Sequence, residues 1–235
     1  MKDLLGKAIV DFYSDNFLEE VLTETSISEE DILPISYLFR SYKEMPPLEK
    51  KALDKSFGNI LDIGCGAGSH ALYLQETKKN SVTAIDISAG AIEVAKKRGL
   101  KDAFQKDVFE LKDKKYDTIL MLMNGTGIFG TYKSVPEKLT HLKNLLTDNG
   151  QILIDSTDII YMFDEDEDGG KWIPMDNDYY GELTYTLKYK GETETTTWLY
   201  LDFNTLSLFC EMVGLQCNLL AEGKHYDYLA QLTKK

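Results

Sequence analysis

The run Asn59-Ile60-Leu61-Asp62-Ile63-Gly64-Cys65-Gly66-Ala67-Gly68 places an acid, a thiol and three alternating glycines at the end of an apolar stretch. Ile60, Leu61 and Ile63 suit a parallel strand covered on both faces. Gly64, Gly66 and Gly68 allow a sharp turn and let a ligand approach backbone that a Cβ would block. A helix expected from about Ser69 to Glu76 then offers free N–H groups and a positive dipole end to that ligand. This is the front of a nucleotide-type pocket. A dinucleotide fingerprint spaces its glycines Gly-x-Gly-x-x-Gly. Here the third glycine comes one position early, and Ser69 stands where that fingerprint requires glycine. Asp62, two residues before Gly64, would repel a pyrophosphate and favours a cationic ligand instead.

Further residues stand at or just past strand ends, the edge from which such a pocket draws its contacts. Asp86 follows Gly64 by 22 residues and ends the apolar stretch Val82-Thr83-Ala84-Ile85. An acid at that strand mouth accepts hydrogen bonds from both ribose hydroxyls. Ile87, next in the chain, can flank a base. Asp107-Val108 follows a short third strand over 102–106. Asn124 follows Ile119-Leu120-Met121-Leu122-Met123, at the carboxyl edge where open α/β sheets bind ligands.

The elements needed to hold these residues alternate regularly. Strands are expected at 59–63, 81–86, 102–106, 116–121 and 151–155. Ser88 caps a helix that runs to Arg98 and stops at Gly99, and 136–146 reads as another helix. Alternation of this kind argues a doubly wound, mostly parallel sheet. Residues 182–190 and 194–201 alternate around Lys190-Gly191-Glu192 and predict an inserted β-hairpin. A helix over 204–213 and two last strands, 215–221 and 226–233, close the chain. Residues 1–57 read as a helical arm or lid: Leu4, Leu5, Ala8, Ile9 and Phe12 recur at helical spacing, Ser28 before Glu29, Glu30 and Asp31 reads as a cap, and Pro46-Pro47 opens a last helix. The long aperiodic segment from 157 to 181 reads as a lid or a mobile loop.

Asp-Ile-Gly-Cys-Gly-Ala-Gly at 62–68 resembles the first motif of the class I S-adenosylmethionine-dependent methyltransferases. The resemblance covers residues 58–156 well and the final strands loosely. It implies a Rossmann-like seven-stranded sheet with an antiparallel last strand over 58–235, interrupted by the loop and hairpin at about 157–201. It also implies S-adenosyl-L-methionine as cofactor, held by Asp62, Gly64, Cys65, Gly66, Gly68, Asp86, Ile87, Asp107, Val108 and Asn124. In relatives the acid at the Asp107 position accepts from the adenine amino group, the following N–H (here of Val108) meets a ring nitrogen, and the backbone near Asn124 holds the methionine amino group. Arg40, in a run that can cover the pocket, suits the methionine carboxylate. The Asn/Asp-Pro-Pro-Tyr signature of amide methylation is replaced here by Asn124-Gly125-Thr126-Gly127.

The expected activity is methyl transfer to a small-molecule acceptor. Alternatives from other classes are a nicotinamide-dependent oxidoreductase and a non-catalytic S-adenosylmethionine-binding module. No catalytic base is assigned; Tyr132, Asn124 and His225 are the side chains that come into consideration. With 26 Lys+Arg against 39 Asp+Glu, a net charge of −13 disfavours a nucleic-acid partner. Cys65, Cys210 and Cys217 form no Cys-x-x-Cys pair, so neither a zinc site nor a disulfide framework is expected. Asp164, Asp166, Asp168 and Gly169 imitate half a calcium loop, but its twelfth position is Met175, and no metal is expected. No signal segment or membrane span is read, which favours the cytoplasm. A monomer or homodimer is expected.

Overall fold

The computed structural model describes residues 2–77, 81–112, 114–173 and 178–235; Met175 lies outside them. In chain order the elements are α1 (Leu4–Tyr13), β1 (Val21–Thr25), β2 (Ser28–Leu33), α2 (Pro47–Lys55), β3 (Ile60–Ile63), α3 (Ser69–Thr77), β4 (Val82–Asp86), α4 (Ala89–Lys97), β5 (Ala103–Gln105), β6 (Tyr116–Met121), α5 (Val135–Asn144), β7 (Leu146–Thr157), β8 (Glu182–Tyr189), β9 (Glu192–Leu199), α6 (Phe203–Met212), β10 (Leu215–Glu222) and β11 (Asp227–Lys234). Short 3-10 turns at Ile35–Phe39, Tyr42–Glu44 and Gly125–Phe129 join them.

The main sheet has seven strands in the order β10-β11-β7-β6-β3-β4-β5. β11 runs antiparallel to both of its neighbours, and the pairs from β7 across to β5 are parallel. Central strands alternate between two cores. Ile119 and Met121 of β6 pack with Phe129, Leu139 and Phe209 on one face, while Leu120 packs with Leu53, Leu74 and Ile92 on the other. β3 lies between β4 on one side and β6 on the other. Chain direction across the sheet reverses there, so the carboxyl ends of β3, β4 and β6 splay open a crevice.

A second, four-stranded sheet has the order β2-β1-β8-β9. It corrects the helical reading of residues 1–57. α1 and α2 are helices, but Ser28 opens a strand rather than capping a helix. Leu22 and Thr23 pair with Ile32 and Asp31 on one side and with Lys188 and Leu187 on the other. Glu29, Glu30 and Asp31 are exposed on the edge strand, where charge blocks pairing with a further chain. Pairing to a hairpin far along the chain overrides the local cap signal. Asp148-Asn149-Gly150, between the expected helix and the expected strand at 151–155, lies inside β7, absorbed by a register shift against β6.

α1 lies on α4 at glycines. A Cβ on Gly90 would sit 2.5 Å from the Gly6 carbonyl oxygen, so only glycine permits this approach. The N-terminus of α1 is held by Glu194 of β9, which accepts hydrogen bonds from the backbone N–H groups of Lys2 at 2.6 Å and Leu4 at 3.0 Å. The second sheet and α1 therefore form one cover over the carboxyl edge of the main sheet.

Candidate functional site

The glycine loop is built by β3 and tied to β4. Gly64 and Cys65 both donate to the Ile85 carbonyl, at 2.9 and 3.1 Å. Gly64, Gly66 and Gly68 have φ of +69°, +52° and +86°, a region that side chains strongly disfavour. Each has its own use. A Cβ on Gly68 would meet Ala95 Cβ at 3.3 Å, so this glycine seats α3 against α4. A Cβ on Gly66 would find no atom within 4 Å, so its backbone borders open space. Asp86 braces the loop: its Oδ2 accepts from Gly66 N and its Oδ1 from Ser88 N, both at 2.9 Å. Burial raises the Asp86 pKa against the pull of these N–H groups.

Asp62 is 2 % exposed, and its Oδ2 has no hydrogen-bond partner. Burial pushes its pKa up to about 6, opposed by His70 and the Ala71 N–H. Cys65 is buried, and desolvation together with Asp62 and Asp86 lifts its thiol pKa well above the ordinary value. Both effects favour the neutral thiol.

At the end of β6, Met123 and Asn124 carry φ of +66° and +60°. Two consecutive non-glycine residues in this region cost roughly 1–2 kcal/mol each. Asp155 of β7 offsets that cost by accepting from Met123 N and Gly125 N, each at 3.0 Å. Its burial pushes its pKa up to about 6. Asn124 Oδ1 accepts from Ser156 Oγ at 3.0 Å, and its Nδ2 donates to the Leu199 carbonyl at 3.4 Å. The turn is thereby fixed between β7 and β9.

Arg40 is buried and forms an ion pair with Glu49 of α2, whose other oxygen lies 2.7 Å from His70 Nε2 on α3. A second guanidinium nitrogen donates to the Tyr37 carbonyl, and Nε has no partner. Burial works to raise the Glu49 pKa, but His70 and Arg40 together hold it below the usual carboxylate range. The fork expected to face a ligand carboxylate is thus engaged by protein, leaving the Nε edge.

These groups meet in one crevice with two adjoining parts. One, of about 300 Å³, is lined by Arg40, Asp62, the loop from Gly64 to Ala67, Asp86, Ile87 and Asn124. The other, of about 240 Å³, is lined by Asp86, Ile87, Asp107, Val108 and Phe109. Gly68 lines neither part, and the other residues expected at the site each line one part or both. Tyr132 does not: it stacks on Tyr179 at 5.1 Å and on the edge of Phe209, lining neither part. His225 lines a separate chamber with Tyr161 and Tyr200. Among the described residues no cluster of His, Cys, Asp or Glu is arranged to hold a metal ion, and no helix is long and apolar enough to cross a membrane.

Sequence reasoning expected an arm or lid over 1–57 but missed that β9 shares in covering the crevice. Asp3, Leu5 and Leu38 from the arm and Glu194 and Trp198 from β9 also line the first part of the crevice. The alternation of β9 signalled that Glu194, Thr196 and Trp198 share a face, but not what that face covers.

A family model described as a methyltransferase domain matches residues 54–203. A solved SAM-dependent methyltransferase from Bacteroides fragilis, in complex with S-adenosyl-L-homocysteine, is 46% identical and aligns with a TM-score of 0.90 over 99% of this chain and 95% of that one. Ribosomal RNA small subunit methyltransferase C of Haemophilus influenzae is 33% identical over 110 residues, 43% of this chain and 33% of its own length. Malonyl-[acyl-carrier protein] O-methyltransferase of Priestia megaterium is 34% identical over 99 residues, 40% of this chain and 35% of its own. The chain thus spans about a third of the length of these curated relatives.

Proposed function

We propose, from the premise that this chain belongs to the class I methyltransferase family and is an S-adenosylmethionine-dependent enzyme, that it methylates a small-molecule acceptor. The observation that carries the cofactor assignment is the pair of buried, unpartnered polar atoms on the crevice wall, Asp62 Oδ2 and Arg40 Nε. An unpaired acceptor and an unpaired donor that line the same crevice suit the ammonium and carboxylate of an amino-acid tail. The open space at Gly66 and the Asp86 carboxylate beside it suit a ribose. Asp107, Val108 and Ile87 would border the adenine, and the backbone at Met123 and Asn124 the amino-acid end. S-adenosylmethionine supplies, when bound, a methyl group on a sulfonium leaving group. The protein's part is then to align the acceptor and exclude water, and positioning carries most of the rate.

The acceptor reading rests on a chamber of about 320 Å³ that shares Met123 and Asn124 with the crevice. A volume of that order admits a metabolite. Its walls include Tyr37, Glu49, Asp155 and Asp227, and no Lys or Arg among the described residues. Carboxylates in the wall and the net charge of −13 disfavour a polyanion as acceptor. Calorimetry with S-adenosylhomocysteine and with NAD on the full chain tests the cofactor. Binding of the first alone supports it, and binding of NAD in its place overturns it. A metabolite screen for a mass gain of one methylene unit tests the acceptor class; methylation of RNA alone would refute it.

A further inference from the structure

We infer that Trp198, carried by the second sheet, closes on the adenosyl group of the cofactor as a binding residue contributed by the cover. This rests on the reading of the crevice given above. The two parts of the crevice share Ile63, Gly64, Asp86, Ile87, Ile128 and Trp198. Five of these belong to the main sheet and its loops. Trp198 is the shared member that comes from the opposite side. An indole at that junction faces both the ribose-binding carboxylate of Asp86 and the base-flanking Ile87.

Its position is set by packing rather than by chance exposure. Glu194, Thr196 and Trp198 alternate along β9 and point to the crevice side. Glu194 is tied down by the start of α1. Trp198 pairs across the hairpin with Leu183, and its ring lies 5.9 Å from that of Tyr185. The indole edge rests on Gly127, where a Cβ would come within 2.1 Å of it. Gly127 therefore makes room for the ring. One side of the indole is packed by protein and the other borders the cavity. A large aromatic surface left half covered gains most when a flat ligand completes its burial.

The test uses the chain's two tryptophans. Trp172 is 75% exposed and lines no part of the crevice. In Trp172→Phe, emission reports Trp198 alone. Titration with S-adenosylhomocysteine is expected to change that emission saturably, with a midpoint equal to the calorimetric Kd of the wild type. Trp198→Ala is expected to weaken S-adenosylhomocysteine about tenfold or more, and Trp198→Phe by less. Trp172→Phe should bind as the wild type does. If calorimetry shows saturation while Trp198 emission stays fixed, the clamp is wrong. The fluorescence arm needs no change at Trp198, so instability of Trp198→Ala does not blunt it. If the wild type fails to bind S-adenosylhomocysteine at all, the reading of the crevice falls, and the clamp with it.

Discussion

Replacing Asp62 by Asn should stabilise the ligand-free protein at neutral pH while weakening its hold on the cofactor. The carboxyl group is 2 % exposed and one of its oxygens is unpartnered. Burial sets its folded pKa at about 6, against about 3.9 in the unfolded chain. A raised carboxyl pKa favours the protonated form in the folded state. Its contribution to stability is therefore complete below about pH 4 and is lost as pH rises to about 6. The gap between the two pKa values corresponds to about 3 kcal/mol, which the ionised protein forgoes above that range. Asn keeps one oxygen for the Ala71 N–H and turns its amide toward the crevice without a buried charge. At pH 7.5 Asp62→Asn should thus be more stable by up to about 3 kcal/mol, or several degrees in Tm. Near pH 4 the two proteins should converge. Asp155, with the same elevated pKa, leaves its own slope in both proteins, so the difference isolates Asp62. Binding moves the other way. An ammonium facing Asp62 favours the ionised form, so wild-type affinity for S-adenosylhomocysteine should rise as pH rises through about 6. In Asp62→Asn that dependence should flatten, with affinity about tenfold to a hundredfold lower at pH 7.5. Urea denaturation and calorimetry at pH 4.5, 6 and 7.5 read both effects. A variant less stable than wild type at pH 7.5, with a difference from wild type that does not change between pH 4.5 and 7.5, would refute the picture of an uncompensated carboxylate.

Asp86→Ala should reduce S-adenosylhomocysteine affinity by about a hundredfold in calorimetry, because it removes both the proposed ribose acceptor and the brace on Gly66 N; near-normal affinity would count against the site. Glu49→Gln leaves the buried Arg40 without its counter-charge and should cost about 3–5 kcal/mol in urea unfolding; a loss below about 1 kcal/mol would mean the pair is solvated. Gly127→Ala drives a Cβ into the indole of Trp198. It should cost about 1–3 kcal/mol and shift Trp198 emission in the absence of any ligand; an unchanged spectrum would show that the ring does not rest there.

Much of the main sheet was legible because each of its signals is local. A buried strand, a glycine turn and a capped helix are each written in fewer than about fifteen residues. Ser88 is a case: its hydroxyl accepts from Ala91 N at 3.0 Å, as its place before the helix implies. The site followed from the sheet, since Asp62, Asp86, Asp107 and Asn124 each stand at or just past a strand end. Neither the protein partners of Arg40 nor the engagement of the Asn124 side chain was legible. Arg40 is paired by Glu49 and, through it, His70, residues from two helices whose approach only the packed core decides.

The second sheet was illegible for a different reason. Ser28-Glu29-Glu30-Asp31 is a good helix start taken alone, and a strand only because β1 bridges it to β8. That pairing joins residues more than 150 positions apart, such as Leu22 and Lys188. Closing so long a loop brings no local contact that a short window could register. The consequence reaches function. The glycine loop and the strand-end acids provide a crevice floor of a kind that many related sheets share. The ceiling here is assembled from both ends of the sequence, with Glu194 holding α1 and Trp198 meeting the crevice from the same strand. The hold on the cofactor therefore depends on a sheet whose existence is a property of the whole chain, and changes in β9 should move cofactor affinity, whereas changes in the acceptor should follow the chamber walled by Tyr37, Glu49, Asp155 and Asp227.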